Sequence, residues 1–323
     1  MKKRRVNQLD KNAENELAYQ NLVTLTLDEA KTMFLKDIRG LAKQTQRWHR
    51  ENLTALEKVL AKQDIVIIDC RDLTTPFLKD NFIFYMLDVM KLKTNTINGR
   101  IRSVRKLIQF LHREGYLKRD YGTDMPLLKG ERVIIQTFSE EQIVHLLRQP
   151  IRHTFSGLRD YTIMLLLLET GIRISECITI TLSDVDLKAG QILIHGKGAK
   201  QRLVPIQSKM RRALNEYLQI RGNAPTDALF ITVDYQPISQ RQVQELIHDY
   251  GETANIKGVR VSPHTFRHTM AKFYILAGGD IFSLQRILGH SSLETVRLYV
   301  KMFASDVQRQ HNKFSFVENR LHN

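Results

Sequence analysis

The chain has only two cysteines among 323 residues, Cys70 and Cys177. Two thiols cannot make a secreted disulfide framework, and their separation is far from any C-x-x-C spacing, which excludes redox and zinc-ribbon readings. Glycine (16) and proline (7) are too sparse for a collagen-like or low-complexity chain, and a 42% hydrophobic content can supply real cores, so disorder is excluded as the main state. No apolar run exceeds six residues, as at 163–168, against the roughly 18 a membrane span needs. Lys2, Lys3, Arg4 and Arg5 are followed by polar residues where a signal peptide would carry an apolar core. These absences predict a soluble, cytoplasmic protein with no membrane partner. There is also no internal repeat.

Negative charge is the scarce sign. Asp and Glu number 34 against 49 Lys and Arg, a formal +15. Up to residue 130 there are 25 basic and 16 acidic residues (+9), and after it 24 and 18 (+6). A basic tail on a neutral enzyme would concentrate the excess in one block. The even spread points to two domains facing one polyanion, with solubilising charge as the bland alternative. At about 150 residues per domain, the length also gives roughly two domains.

Residues 28–60 read as helices with a break near Gly40, and Trp48, Leu53, Leu56 and Leu60 form an approximate stripe. From Asn95 onward Ile97, Ile101, Val104, Ile108 and Leu111 are spaced four, three, four and three, which is one apolar helix face. Arg102, Arg105, Lys106 and Arg113 fall largely off it, and Glu114 is the single acid among nine basic residues between Lys91 and Arg119. A solvated face usually mixes signs, so this one is read as contacting phosphates.

Residues 120–137 contain Gly122, Pro126 and Gly130 without a sustained period, and read as a linker. Ser139 and Gln142 form a capping-box pattern that opens a helix through Leu147. A buried helix at 161–169 stops at Gly171. The runs 192–194 and 203–206 flank Gly196, Lys197 and Gly198 as a short hairpin with Lys197 at its turn, and helices dominate the remainder. Ser262 and Pro263 make an N-cap and first-turn pair for a helix through Leu276, with His264 and Arg267 on one face. Gly278 and Gly279 end it, Asp280 caps a short helix that Gly289 ends, and His290 lies in the turn beyond. Ser291 and Glu294 repeat the capping-box spacing, which places Tyr299 on the next helix.

With Arg173 in GIRISE, Lys197 in HGKGAKQR, His264 and Arg267 in SPHTFRH, His290 in LGH and Tyr299 in RLYV, the chain resembles the tyrosine recombinase (phage integrase) family. All six positions of that family's catalytic set are filled in order, and Glu176 matches an acidic supporting position. The resemblance implies a mainly α fold with a small antiparallel β-sheet in the catalytic domain, built as a two-domain DNA clamp. After a basic N-terminal extension (1–24) it implies a helical core-binding domain (25–119) and, beyond the linker (120–137), a catalytic domain (138–302) and a C-terminal tail (303–323) exchanged between protomers. The implied partners are double-stranded DNA recombination sites and further copies of the chain, as a tetramer on synapsed DNA. Arg100, Arg102, Arg105, Lys106, Lys200 and Arg202 are the candidate DNA contacts.

The chemistry agrees with that set. Cleaving a phosphodiester needs a nucleophile and neutralisation of a doubly charged transition state, and two guanidiniums, Arg173 and Arg267, offer planar forks matched to phosphate oxygens. A tyrosine of ordinary pKa is only about 0.1% phenolate at pH 7, so Tyr299 needs a base, for which His264 is the candidate. Lys197 is placed to protonate the leaving 5′ oxygen, and His290 to donate to the phosphate. The resemblance implies no metal and no other cofactor. Integration, excision or transposition of a mobile element is the expected role, with a Xer-type resolvase of chromosome dimers as the alternative within the family. Outside it stand a catalytically silent DNA-binding protein and a zinc hydrolase built on His264 and His268. The latter lacks the glutamate of H-E-x-x-H, because Thr265 follows His264.

Overall fold

The structure, a computed structural model, describes residues 24–130, 135–196 and 200–289. Expectations placed on Lys197, His290, Tyr299, the N-terminal extension and the C-terminal tail lie outside the described residues. The chain divides into two compact units, Met1–Val133 and Ile134–Asn323.

In the first unit, helix α1 (Leu27–Asp37) starts at Thr26, where the Glu29 carboxylate accepts the Thr26 amide and the Thr26 hydroxyl accepts the Glu29 amide. A 3₁₀ turn at Ile38–Gly40 makes the break that the glycine predicts. Helix α2 (Lys43–Ala61) buries Leu53, Leu56 and Leu60, but Trp48 is 37% exposed. The residue that enters the core is His49, whose Nδ1 lies 3.1 Å from the Ser103 hydroxyl. The reason is angular. Positions 49, 53, 56 and 60 step by four, three and four, whereas 48 to 53 is a step of five that leaves the stripe. Helix α3 (Thr75–Leu78) is capped by the Thr74 hydroxyl and has Pro76 in its first turn. It runs on as a wider π-type helix, Lys79–Val89, which the sequence reading did not foresee. Helix α4 (Thr94–Arg113) buries all five residues of the expected face. At roughly 1.5–3 kcal/mol for each large aliphatic withdrawn from water, that face is the main anchor of this unit's core.

In the second unit, helix α5 (Glu140–Arg148) opens on the reciprocal Ser139–Gln142 box. Helix α6 (Phe155–Thr170) is buried on nearly all sides and packs against helices α8 (Ser208–Arg221) and α10 (Pro263–Leu276). It ends at Gly171, which adopts the left-handed conformation, φ 60°. The one-turn helix α7 (Ile174–Cys177) follows. Three strands, β1 (Val185–Asp186), β2 (Gln191–His195) and β3 (Gln201–Pro205), form an antiparallel sheet in sequence order. The hairpin matches the sequence reading, with Ile194 opposite Arg202 and His195 opposite Gln201; β1 is additional.

Helix α9 (Gln240–Thr253) carries a second Ser–Gln capping box, from Ser239. Helix α10 begins at the Ser262 cap as expected, and helix α11 (Ile281–Leu288) runs from the Asp280 cap to left-handed Gly289, φ 64°. Met270, Ala271, Ile275, Leu284 and Leu288 pack α10 against α11 in a small core of their own. Among the described residues no helix is long and apolar enough to cross a membrane.

Candidate active site

The site grows from two helix ends. The left-handed turn at Gly171 reverses the chain out of the buried α6 and presents Arg173 as the first residue before α7, three positions ahead of Glu176. The left-handed turn at Gly289 ends α11 immediately before position 290. Arg267, 5% exposed on α10, ties the two ends together. One of its terminal nitrogens donates to the Gly171 carbonyl at 2.6 Å and the other to the Leu288 carbonyl at 2.9 Å. Both acceptors belong to helix C-termini, whose last carbonyls lack intrahelical partners and favour a cation. An added Cβ at Gly171 would stand 2.7 Å from the Leu288 side chain, so glycine is required there by approach as well as by φ.

Glu176 is the negative centre of this corner. Its carboxylate accepts the Arg173 amide at 2.9 Å, an Arg173 terminal nitrogen at 3.0 Å, and both terminal nitrogens of Arg202 at 3.1 and 2.8 Å. Burial alone would raise this carboxyl. The hydrogen bonds from Arg202 and the Arg173 amide, with the two positive charges, outweigh it and hold the group below the usual carboxylate range. The Arg202 Nε–H donates to the Ile287 carbonyl at 2.8 Å. Three guanidiniums against one carboxylate leave the corner positive, and the Arg173 side chain, 41% exposed, is its opening to solvent. The arrangement suits a phosphate diester.

His264 is exposed on the first turn of α10, while Arg267 three residues on is buried. His268, one turn beyond His264, is half-buried, and burial with the nearby His264 and Arg267 pushes its imidazole down to about 4. It is neutral at pH 7. Lys200 is exposed, and its carbonyl accepts the Gly196 amide at 2.7 Å, closing the base of the hairpin turn. Arg202 does not stand beside it on the surface. Along β3 the inward positions are 202 and 204, so Arg202 points to Glu176 while Leu203 is 57% exposed.

On α4, Arg102 and Lys106 are exposed. Arg100 is half-buried, with a terminal nitrogen 3.4 Å from the Met86 sulfur, and the Arg105 Nε is buried without a hydrogen-bond partner among the described residues. The structure thus brings Arg173, Glu176, Arg202 and Arg267 together and sets His264 on the same helix as Arg267. Lys197, His290 and Tyr299 are outside the described residues. Sequence reasoning missed the placement of Arg202, although the two-residue alternation with buried Val204 carries the signal.

Comparison with known proteins bears on the family and the fold. The model of the phage integrase family matches residues 136–305. Tyrosine recombinase XerD of Staphylococcus haemolyticus is 29% identical over 294 residues, covering 90% of this chain and 98% of that one. Among solved structures, the XerH site-specific recombinase bound to a palindromic difH substrate, a post-cleavage complex, superposes with a TM-score of 0.69 at 18% identity, over 97% of this chain and 91% of that one. The Tn1549 transposon integrase in complex with a circular intermediate DNA does so with 0.71 at 16% identity, over 89% of this chain and 100% of that one. At these identities the two structures establish the shared fold.

Proposed function

Since the chain belongs to the phage integrase family, we propose that it is a site-specific recombinase that cuts and rejoins double-stranded DNA through a 3′-phosphotyrosyl intermediate. The observation that carries this reading is the positive corner at which Arg267 joins the Gly171 and Leu288 carbonyls, two residues from each of Arg173 and His290. In the reaction the Tyr299 oxygen bonds to phosphorus as the bond from phosphorus to the 5′ oxygen breaks. His264 takes the phenol proton and Lys197 gives one to the leaving 5′ oxygen. Arg173 places its fork on the non-bridging oxygens, His290 donates to the same phosphate, and Arg267 supplies positive charge from a buried, fixed position. The phosphodiester energy is kept in the phosphotyrosyl link, and the freed 5′ hydroxyl of a partner strand attacks it to complete exchange. Tyr250 and Tyr161 fit the nucleophile's role poorly. Burial, the Asp160 charge and a 3.0 Å hydrogen bond to Asp160 push the Tyr250 hydroxyl well above its ordinary value, and Tyr161 is 7% exposed.

The two basic units serve the same duplex, with Arg102 and Lys106 of α4 and Lys200 at the hairpin as candidate backbone contacts. Four strands must be cut pairwise, which calls for a tetramer, and Val307, Phe314, Phe316, Val317 and Leu321 give the tail apolar residues for docking on a neighbouring copy. The cellular role proposed is recombination of a mobile element. Chromosome-dimer resolution is the second reading, favoured by the colinear match to 98% of a XerD chain. A nicked suicide substrate tests the core of the proposal. Wild-type protein should form a covalent adduct, and Tyr299→Phe should lose it while keeping its DNA affinity. An adduct of wild-type yield from that variant refutes the assignment.

A further inference from the structure

Three observations converge on one side chain to which the sequence reading gave a different task. Arg202 belongs to β3, the strand that returns from the hairpin turn. Its terminal nitrogens engage both oxygens of buried Glu176, which in turn holds the Arg173 amide and guanidinium. Its Nε–H engages the Ile287 carbonyl in the last turn of α11, beside the Leu288 carbonyl that Arg267 holds. The fit is close. A Cβ on Gly289 would lie 2.8 Å from the Arg202 guanidinium carbon.

We propose that Arg202 is a positioning residue that locks the hairpin, the Arg173 turn and the α11 C-terminus into one geometry, and that it does not contact DNA. The inference rests on the reading of this corner as the recombinase site. A planar fork is required, because only a guanidinium serves two carboxylate oxygens with its terminal nitrogens and a carbonyl with Nε at once. Lysine in its place keeps the charge beside Glu176 but cannot span to Ile287. The segments it joins carry Arg173 and lead into Lys197 and His290, so its loss loosens groups that must meet one phosphate together. A displacement of about 1 Å from a residue remote from the chemistry costs on the order of a hundredfold in rate.

The experiment compares wild type, Arg202→Lys and Arg202→Met on a nicked half-site duplex. It reads affinity, its salt dependence, the single-turnover rate of adduct formation at saturating protein, and the final adduct yield. The expected result is affinity within about twofold of wild type, an unchanged salt slope, a rate lowered roughly ten- to a hundredfold, and a full final yield. Partial misfolding lowers the yield instead of the rate, and the lysine variant keeps a charge against Glu176 to support folding. Weakened affinity with a wild-type saturated rate makes Arg202 a DNA contact and overturns the proposal, as does a wild-type rate in both variants.

Amide hydrogen exchange on the full chain without DNA reads the same lock independently of catalysis. Peptides covering 173–178 and 281–289 should exchange faster in Arg202→Met, with 43–61 unchanged. Unchanged exchange in the first two refutes the lock. A wild-type protein that forms no adduct refutes the recombinase reading while leaving the exchange result to decide the lock.

Discussion

Acidification from pH 7 to pH 5 is expected to destabilise the C-terminal unit through His268. Burial, then the neighbouring His264 and Arg267, lower its imidazole from 6.5 to about 4. In the unfolded chain the ring titrates at about 6.5. The unfolded state therefore takes the proton first, so the stabilisation is full above about pH 6.5 and is lost as the pH falls toward 4. Linkage over the interval from pH 7 to 5 gives about 1.8 kcal/mol for the whole shift. Screening by the solvent that still reaches the half-buried ring reduces this to about 1 kcal/mol. For a unit of this size that is a fall in Tm of roughly 2–4 °C. The assay is thermal unfolding of wild type and His268→Gln at both pH values. Glutamine cannot titrate there, so the variant's Tm should fall less than the wild type's by that amount. The other histidines are common to both proteins, including His49 in the N-terminal unit, which burial and Lys106 also lower. An identical fall in the two proteins refutes the reasoning.

Burial pushes the Cys70 thiol up to about 11 and the Cys177 thiol up to about 12, so both should react with a thiol reagent at pH 8 far more slowly in the native than in the unfolded protein; equal rates would contradict the burial. Gly157→Ala should cost several kcal/mol in denaturant unfolding, on the scale of about 1–3 kcal/mol or more for overpacking, because its Cβ would fall 2.2 Å from the Ile151 backbone carbonyl oxygen. Arg173→Ala and Arg267→Ala should each slow single-turnover cleavage by about two to three orders of magnitude, with lysine a poor substitute. Lys197→Ala should recover on a substrate with a 5′-thio leaving group, which needs no proton, and the absence of recovery would remove its role as the acid. If six to ten phosphates are held, affinity should fall by roughly three to five orders of magnitude between 50 and 200 mM salt.

What could be read in advance follows from the range over which each signal acts. Ser139, Ser262 and Asp280 cap helices with their own side chains, and Gly171 and Gly289 end them by a conformation that glycine adopts freely, so those boundaries are written within four residues. The α4 face is equally local, because one helix period repeats through it. The helix at 75–89 was missed because residues 82–87 are uniformly apolar and show no preferred face. Trp48 leaves the core because the five-residue step to Leu53 carries it off the stripe that His49, Leu53, Leu56 and Leu60 share.

The contacts of Arg202 are of a different kind. Its partners Glu176 and Ile287 lie 26 and 85 positions away, and no local pattern specifies them. The strand alternation does say that 202 shares the inward side with Val204 and that Leu203 faces out. Apolar content does not decide the placement here, because Leu203 and Val204 fall on opposite faces and either orientation buries one of them. Here a buried carboxylate and a helix-end carbonyl without an intrahelical partner accept the guanidinium, and they decide which side faces in. An arginine turned inward beside a leucine turned outward is therefore the local mark of an assembled polar site.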